Sequence, residues 1–141
     1  MRFVSERYAD LIRRGYEAWN AGDRSWVLEH LSPDVEWITP PDDPDHGRYV
    51  GHDAVIEFWD QWRSAVGQLE FEIRELIEAP PHVLVITRRS GTGIQSGLPV
   101  SDEICQVFTF DDGLCVRVQE FYDRTAAMQA AGSPAEVRRS S

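Results

Sequence analysis

A carboxylate and an amide, Glu120 and Gln106, lie within two neighbouring runs of apolar and β-branched residues. If the runs pair as a hairpin with Phe110 opposite Leu114, both polar side chains fall on the apolar face, about 7–8 Å apart on a diagonal. Burying a carboxylate is costly unless it is paired, hydrogen-bonded or protonated. The pattern therefore predicts a pocket in which Glu120 is a general acid or base. The alternative is that Glu120 lies at the wet rim of the sheet or pairs with an arginine.

The hairpin that must position these groups is predicted over Ser101–Asp123. Its turn is Asp111-Asp112-Gly113, a three-residue connection ending in Gly. A two-residue turn would pair Phe110 with Cys115 and scatter the apolar residues over both faces, so we favour the three-residue turn. In this register Tyr122 also faces the core, and we predict that Gln106 and Tyr122 stabilise a developing enolate oxygen.

Other side chains are candidates for binding a ligand or moving a proton. Arg88 and Arg89 lie on opposite faces of their strand, so only one points inward, where it would pair with Glu120 or bind an anionic group. His46 is a candidate proton shuttle at the pocket mouth, or an ordinary solvated loop residue. The tryptophans line a flat aromatic site or simply pack the core. The predicted ligand-binding set is Tyr16, Trp19, Trp37, Phe58, Trp62, Arg89, Ile104, Phe108, Val118 and His46.

Composition limits the classes of function. A net charge of −10 disfavours nucleic acid and anionic membranes as partners, since both require a basic surface. All 14 basic residues are Arg, which excludes a lysine Schiff base and a Walker lysine. The four His show no zinc-ligand spacing, and we expect neither a metal nor an organic cofactor. No apolar run reaches the roughly 20 residues of a membrane span, and no signal peptide is evident, so we expect a cytoplasmic protein.

The remaining elements predict one α+β domain over residues 1–132, with a flexible tail over 133–141. Apolar spacing and capping residues predict three N-terminal helices, and alternation predicts strands. Cys105 and Cys115 are separated along the hairpin and are expected to be free thiols. Helices are predicted over 6–21 and 54–66, with a short second helix between them that is capped by Asp23 or Ser25 and ends at Leu31. The strands are predicted over 35–39, 69–78 and 83–90 before the hairpin, and a last helix over 125–131.

Three local motifs in this order resemble the SnoaL-like polyketide cyclase family of the nuclear transport factor 2-like superfamily. They are Tyr16-Glu17-Ala18-Trp19-Asn20-Ala21-Gly22-Asp23, Gly51-His52-Asp53-Ala54-Val55 and Glu120-Phe121-Tyr122-Asp123-Arg124. The resemblance covers residues 5–131. It implies a cone-shaped, curved, mixed or antiparallel sheet wrapped around a pocket and covered by the N-terminal helices. It also implies a homodimer joined through the outer sheet face, which would carry Cys105, Val107, Cys115, Phe121, Arg117 and Glu103.

Two activities of that superfamily do not fit the residues present. Ketosteroid isomerases use a Tyr and two Asp at positions that are Gly15, Thr39 and Gln106 here. Epoxide hydrolases use Arg-x-Asp where this chain has Ile104-Cys105-Gln106. A cyclase-like mechanism needs one carboxylate on the last strand, which Glu120 supplies. We therefore expect a cofactor-independent cyclase- or isomerase-like enzyme acting on a small, hydrophobic, carbonyl-bearing molecule. The alternative is a non-catalytic ligand-binding or dimerisation module.

Overall fold

The computed structural model describes the backbone of residues 2–132 and the side chains of residues 8–132. The predicted tail over 133–141 lies outside the described residues. The helices are α1 (Arg2–Asn20), α2 (Arg24–Glu29), α3 (His52–Ala65) and α4 (Arg124–Ala130). The strands are β1 (Leu31–Ile38), β2 (Arg48–Val50), β3 (Val66–Ala79), β4 (His82–Gly93), β5 (Pro99–Asp111) and β6 (Leu114–Phe121).

The six strands form one curved, unclosed sheet in the order β2-β1-β6-β5-β4-β3. Strands β1 and β6 run parallel, and every other pair is antiparallel. Helices α1 and α3 cover the inner face, where Ile12, Val55 and Trp59 pack against Val35 and Val118 of the sheet. The predicted mixed α+β fold with N-terminal helices is confirmed.

The helices begin and end where local chemistry favours it. The Oδ1 atom of Asp23 accepts a hydrogen bond from the Trp26 amide at 3.2 Å and thereby caps α2. Asp123 caps α4 in the same way through the amide of Ala126. Gly22, which follows α1, has a φ of 81°, a conformation that glycine adopts without strain. These caps fix the points at which the chain leaves each helix for the sheet.

The predicted three-residue turn of the β5–β6 hairpin is wrong. Asp111 pairs with Leu114 around a two-residue turn, in which Asp112 and Gly113 have φ angles of 53° and 83°. Two positive φ angles are typical of the type I′ turn, whose twist matches that of the strands. A β-bulge next to Phe110 then shifts the pairing by one more residue. The total shift of two residues preserves the predicted faces, because side chains alternate with a period of two.

The two-residue turn does change the face of Cys115. Cys115 lies between the turn and the bulge, pairs with Phe110 and packs in the inner core. Cys105 packs on the opposite, outer face, and both thiols are free, as predicted.

The outer sheet face is partly covered by the chain's own C-terminal helix. Ala127 and Ala131 pack against Cys105, Val107 and Phe121, which are at most 6% exposed. The homodimer stays a prediction, but three of the side chains expected at its interface are already buried within a single chain. No helix within residues 2–132 is long and apolar enough to cross a membrane.

Candidate functional site

Two cavities lie between the helices and the inner sheet face, and we name them the inner and the outer cavity. The inner cavity is about 100 Å³ and is lined by Gly15, Tyr16, Trp19, Val27, Leu31, Trp37, Phe58, Trp59, Trp62, Leu69, Phe71, Arg89, Gln106, Phe108 and Glu120. The outer cavity is about 250 Å³ and is lined by Thr39, Pro40, Asp43, Asp45, Tyr49, Phe58, Gln61, Trp62, Ala65, Arg89, Glu120 and Tyr122. Glu120 lines both, so its carboxyl group lies where an aromatic chamber adjoins a more polar one.

Three side chains from three elements form a hydrogen-bonded row at this junction. Gln106 and Glu120 are directly paired residues of β5 and β6, and Gln106 Nε2 donates to Glu120 Oε2 at 2.8 Å. The Tyr16 hydroxyl, on α1, donates to Gln106 Oε1. The predicted diagonal separation of 7–8 Å is therefore replaced by direct contact, because the two residues are opposite each other.

Burial controls the charge of Glu120. Its side chain is 4% exposed, and loss of solvent raises the pKa of its carboxyl to about 7. The Gln106 amide, the Arg89 guanidinium and the nearby Trp37 indole oppose this increase, whereas the Asp43 carboxylate adds to it. Burial and the charge of Glu120 also raise the pKa of Tyr16 well above 10, so Tyr16 remains a neutral donor. Glu120 thus exchanges its proton near neutral pH.

Arg89 is the arginine of its pair that points inward. It forms a two-pronged ion pair with Asp102, with Nε–Oδ1 and Nη2–Oδ2 distances of 3.0 and 2.7 Å. Its guanidinium carbon lies 4.4 Å from the ring centre of Trp62, a cation–π contact. Arg88 points outward and bonds to Ser101. Arg89 forms its ion pair with Asp102 on the adjacent strand and not with Glu120, but its charge still opposes the rise in the pKa of Glu120.

The loop between β1 and β2 forms one wall of the outer cavity. Tyr122, which is 38% exposed, donates from its hydroxyl to Asp43 Oδ2 at 3.0 Å. Tyr122 therefore lies in the outer cavity and not against the core as the predicted register required, because β6 ends at Phe121.

His46 is exposed, and its Nδ1 bonds to the carbonyl of Thr39 at 2.9 Å. His46 lines neither cavity, and its role as a proton shuttle stays a prediction.

Most of the other predicted ligand-binding residues surround the inner cavity. Tyr16, Trp19, Trp37, Phe58, Trp62, Arg89 and Phe108 line it together with the predicted pair Gln106 and Glu120. Ile104 and Val118 are on the correct face but are fully buried and line neither cavity.

Several lining residues were not predicted from the sequence. Leu69 and Phe71 line the inner cavity, and the alternation of β3 predicted that they share a face. The contacts of Phe71 with Tyr16 and Trp19 of α1 depend on the curvature of the sheet. Asp43 and Asp102 are the acidic partners of Tyr122 and Arg89, and no local pattern connects them.

Three indole nitrogens near the inner cavity, those of Trp19, Trp37 and Trp59, are buried and make no hydrogen bond to any side chain or backbone group among the described residues. Trp59 packs edge-to-face against both other rings, at centroid distances of 5.1 and 5.7 Å. Within the same part of the chain, no group of three or more His, Cys, Asp or Glu is arranged to hold a metal ion.

Residues 12–118 match the SnoaL-like domain. A nuclear transport factor 2-like protein of unknown function from Burkholderia pseudomallei is 26% identical, with a TM-score of 0.74 over 86% of this chain and 94% of that one. TerC co-crystallised with polyporic acid is 25% identical, with a TM-score of 0.72 over 89% and 98% of the two chains. A candidate SnoaL-like polyketide cyclase from Jannaschia sp. CCS1 is 21% identical, with a TM-score of 0.74 over 92% and 94%. No curated protein matches the sequence.

Proposed function

Because the chain belongs to the SnoaL-like domain family, we propose that it binds a small hydrophobic, carbonyl-bearing molecule and that Glu120 transfers a proton to or from it. The proposed reaction class is a cyclisation or isomerisation that passes through an enolate. Fold alone does not specify an activity, so the proposal depends on the chemistry of the site.

The observation that carries the proposal is the position of Glu120, buried where the two cavities meet and with a pKa raised to about 7. A general acid or base works best when its pKa is near the working pH, because both protonation states are then populated. An exposed glutamate would be ionised almost completely at neutral pH and would be a weak base.

The neighbouring groups suggest how the proton transfer would be supported. One hydrogen of Gln106 Nε2 is used by Glu120, and the second, which has no partner among the described residues, would donate to an enolate oxygen in the inner cavity. Aromatic walls would supply binding area and keep water away from the carboxyl group. The hydroxyl of Tyr122 is already bonded to Asp43, so we assign Tyr122 to closure of the outer cavity instead of to the enolate.

A second candidate, a non-catalytic ligand-binding or dimerisation module, is favoured by the small volume of the inner cavity. About 100 Å³ is smaller than the roughly 300–1,000 Å³ of ordinary ligand sites, because Trp19, Trp37 and Trp59 pack closely around it. A ligand would have to extend into the outer cavity. The co-crystal of TerC with polyporic acid supports ligand binding by this fold, whichever of the two functions applies here.

The test uses a panel of hydrophobic cyclic ketones dissolved in D₂O. NMR monitors the rate at which the hydrogens on the carbon next to the carbonyl are replaced by deuterium. We expect the wild-type protein to accelerate exchange for at least one ketone and Glu120→Gln to abolish the acceleration. Glu78→Gln is the matched control, because Glu78 is an exposed glutamate near the end of β3 and lines neither cavity.

Two outcomes would contradict the proposed function. Acceleration that survives in Glu120→Gln would remove Glu120 from the mechanism. Ketone binding by the wild-type protein without any acceleration of exchange would favour the non-catalytic module. Native mass spectrometry of the purified protein would identify a ligand that remains bound through purification.

A further inference from the structure

In the hydrogen-bonded row formed by Tyr16, Gln106 and Glu120, each donor points toward Glu120. A glutamine amide has a donor end and an acceptor end, and a tyrosine hydroxyl that donates to it must meet the acceptor end. The Tyr16 hydroxyl donates to Gln106 Oε1, which leaves Nε2 facing Glu120. Helix α1 therefore determines which end of the amide the buried carboxyl group meets.

We propose that Tyr16 is a positioning residue that acts through Gln106 to hold Glu120 in its ionised, proton-accepting form. The catalytic importance of this role rests on the proposed function, in which Glu120 transfers a proton. The hydrogen-bond geometry itself does not depend on turnover.

The physical reason is a difference in hydrogen bonding between the two protonation states. Ionised Glu120 accepts a hydrogen bond from Nε2, and a bond to the charged form favours that form. Protonated Glu120 would gain a bond from its own hydroxyl if Gln106 turned its oxygen toward it. Turning the amide would let Nε2 donate to the Tyr16 hydroxyl oxygen but would leave the buried hydroxyl proton without its acceptor, and an unpaired buried donor is costly. Tyr16 thus penalises the arrangement that would stabilise protonated Glu120.

The other charged and titratable groups facing Glu120 leave this coupling intact. Arg89 on β4 faces it with its partner Asp102 on β5, and Asp43 faces it from the loop before β2. Asp45 of the same loop, Tyr49 of β2 and Tyr122 after β6 line the outer cavity beside it. Helix α3 contributes only uncharged side chains to the two cavities, namely Phe58, Trp59, Gln61, Trp62 and Ala65. In the described part of the chain none of these groups hydrogen-bonds to Tyr16 or Gln106, so a change at Tyr16 acts on the amide first.

The test is the titration of the Glu120 carboxyl carbon by NMR in full-length protein labelled with ¹³C-glutamate, with Glu120→Gln used to assign the resonance. We expect Tyr16→Phe to raise the midpoint by about 0.5–1 pH unit, the equivalent of one ordinary hydrogen bond. Tyr8→Phe is the matched control, since Tyr8 lies on the same helix and stacks on Phe110 with a centroid distance of 4.1 Å. We expect Tyr8→Phe to leave the midpoint unchanged.

A double-mutant cycle tests the route through the amide. Gln106→Met fills similar space without a hydrogen bond and should itself raise the midpoint. Adding Tyr16→Phe to it should then produce no further change. An unchanged midpoint in Tyr16→Phe would overturn the proposal, and so would an equal change with and without Gln106. Because this titration requires no turnover, its failure is distinct from a failure of the ketone-exchange test.

Discussion

Gln106 and Glu120 face each other as directly paired residues of the two central strands, and the 2.8 Å hydrogen bond between their side chains lies inside the hydrophobic core. A carboxyl group in such a place affects folding as well as chemistry. The ionised form loses its hydration on folding, and one hydrogen bond from a neutral amide only partly replaces it. The effects of pH, of charge removal and of packing at this site are therefore linked.

Glu120 should make the protein less stable as the pH rises. Its pKa is about 7 in the folded state and near the ordinary value of about 4.3 in the unfolded chain. Its stabilising contribution is then complete below about pH 4.3 and is lost as the pH rises through 7. We expect the stability of Glu120→Gln relative to wild type to be about 2–3 kcal/mol greater at pH 8 than at pH 5, measured by urea denaturation. Glu78→Gln should show no such difference, and a pH-independent effect of Glu120→Gln would contradict the raised pKa.

Removing the acidic partner of Arg89 should cost more stability than removing one partner of a surface ion pair. The Arg89 side chain is 7% exposed, and Asp102→Asn would leave its charge buried and poorly paired. Asp102 is 40% exposed, so water would relieve part of the penalty, and we expect a loss of about 1–3 kcal/mol. Glu72→Gln, which removes the exposed partner of Arg74, should cost less than about 0.5 kcal/mol. Chemical denaturation of both variants measures the contrast, and equal losses would argue against a buried pair.

Two glycines should respond in opposite directions to a methyl group. A Cβ at Gly15 would lie 3.7 Å from the nearest ring atom of Trp26, an ordinary contact, so we expect Gly15→Ala to stabilise α1 by about 0.5–1 kcal/mol. A Cβ at Gly91 would lie 2.5 Å from Val66 Cγ1 and 2.9 Å from the Gly67 carbonyl oxygen. We expect Gly91→Ala to destabilise by about 1–3 kcal/mol. Thermal unfolding measures both changes, and a loss of stability in Gly15→Ala would show that the helix has no space there.

The two cysteines should be unreactive while the protein is folded. Burial raises the pKa of Cys105 to about 11 and that of Cys115 to about 12, so almost no thiolate is present at neutral pH. We expect slow reaction with Ellman's reagent in the native protein and two thiols per chain after denaturation. Rapid native labelling of Cys115 would show that the inner core opens readily. Fewer than two thiols after denaturation under non-reducing conditions would indicate a disulfide.

Local sequence patterns determined the elements and the faces that they present. Helical spacing of aromatic residues placed Tyr16 and Trp19 toward the core, because α1 is amphipathic and must bury its apolar side. Strand alternation placed Gln106 and Glu120 on the inner face, and an error of two residues in register left that prediction intact because two residues complete one period.

Only the tertiary structure decided which groups touch. The two-residue turn and the bulge beside Phe110 together made Gln106 and Glu120 direct partners, and the turn moved Cys115 to the inner face. A bulge follows from the twist of the whole sheet, and no local residue pattern specifies it. The same holds for Asp102 as the partner of Arg89, since curvature and strand pairing bring these charges together across a separation of 13 residues. The sequence by itself thus determined what each element buries. The raised pKa of Glu120 arises only when several elements close around it and remove its water.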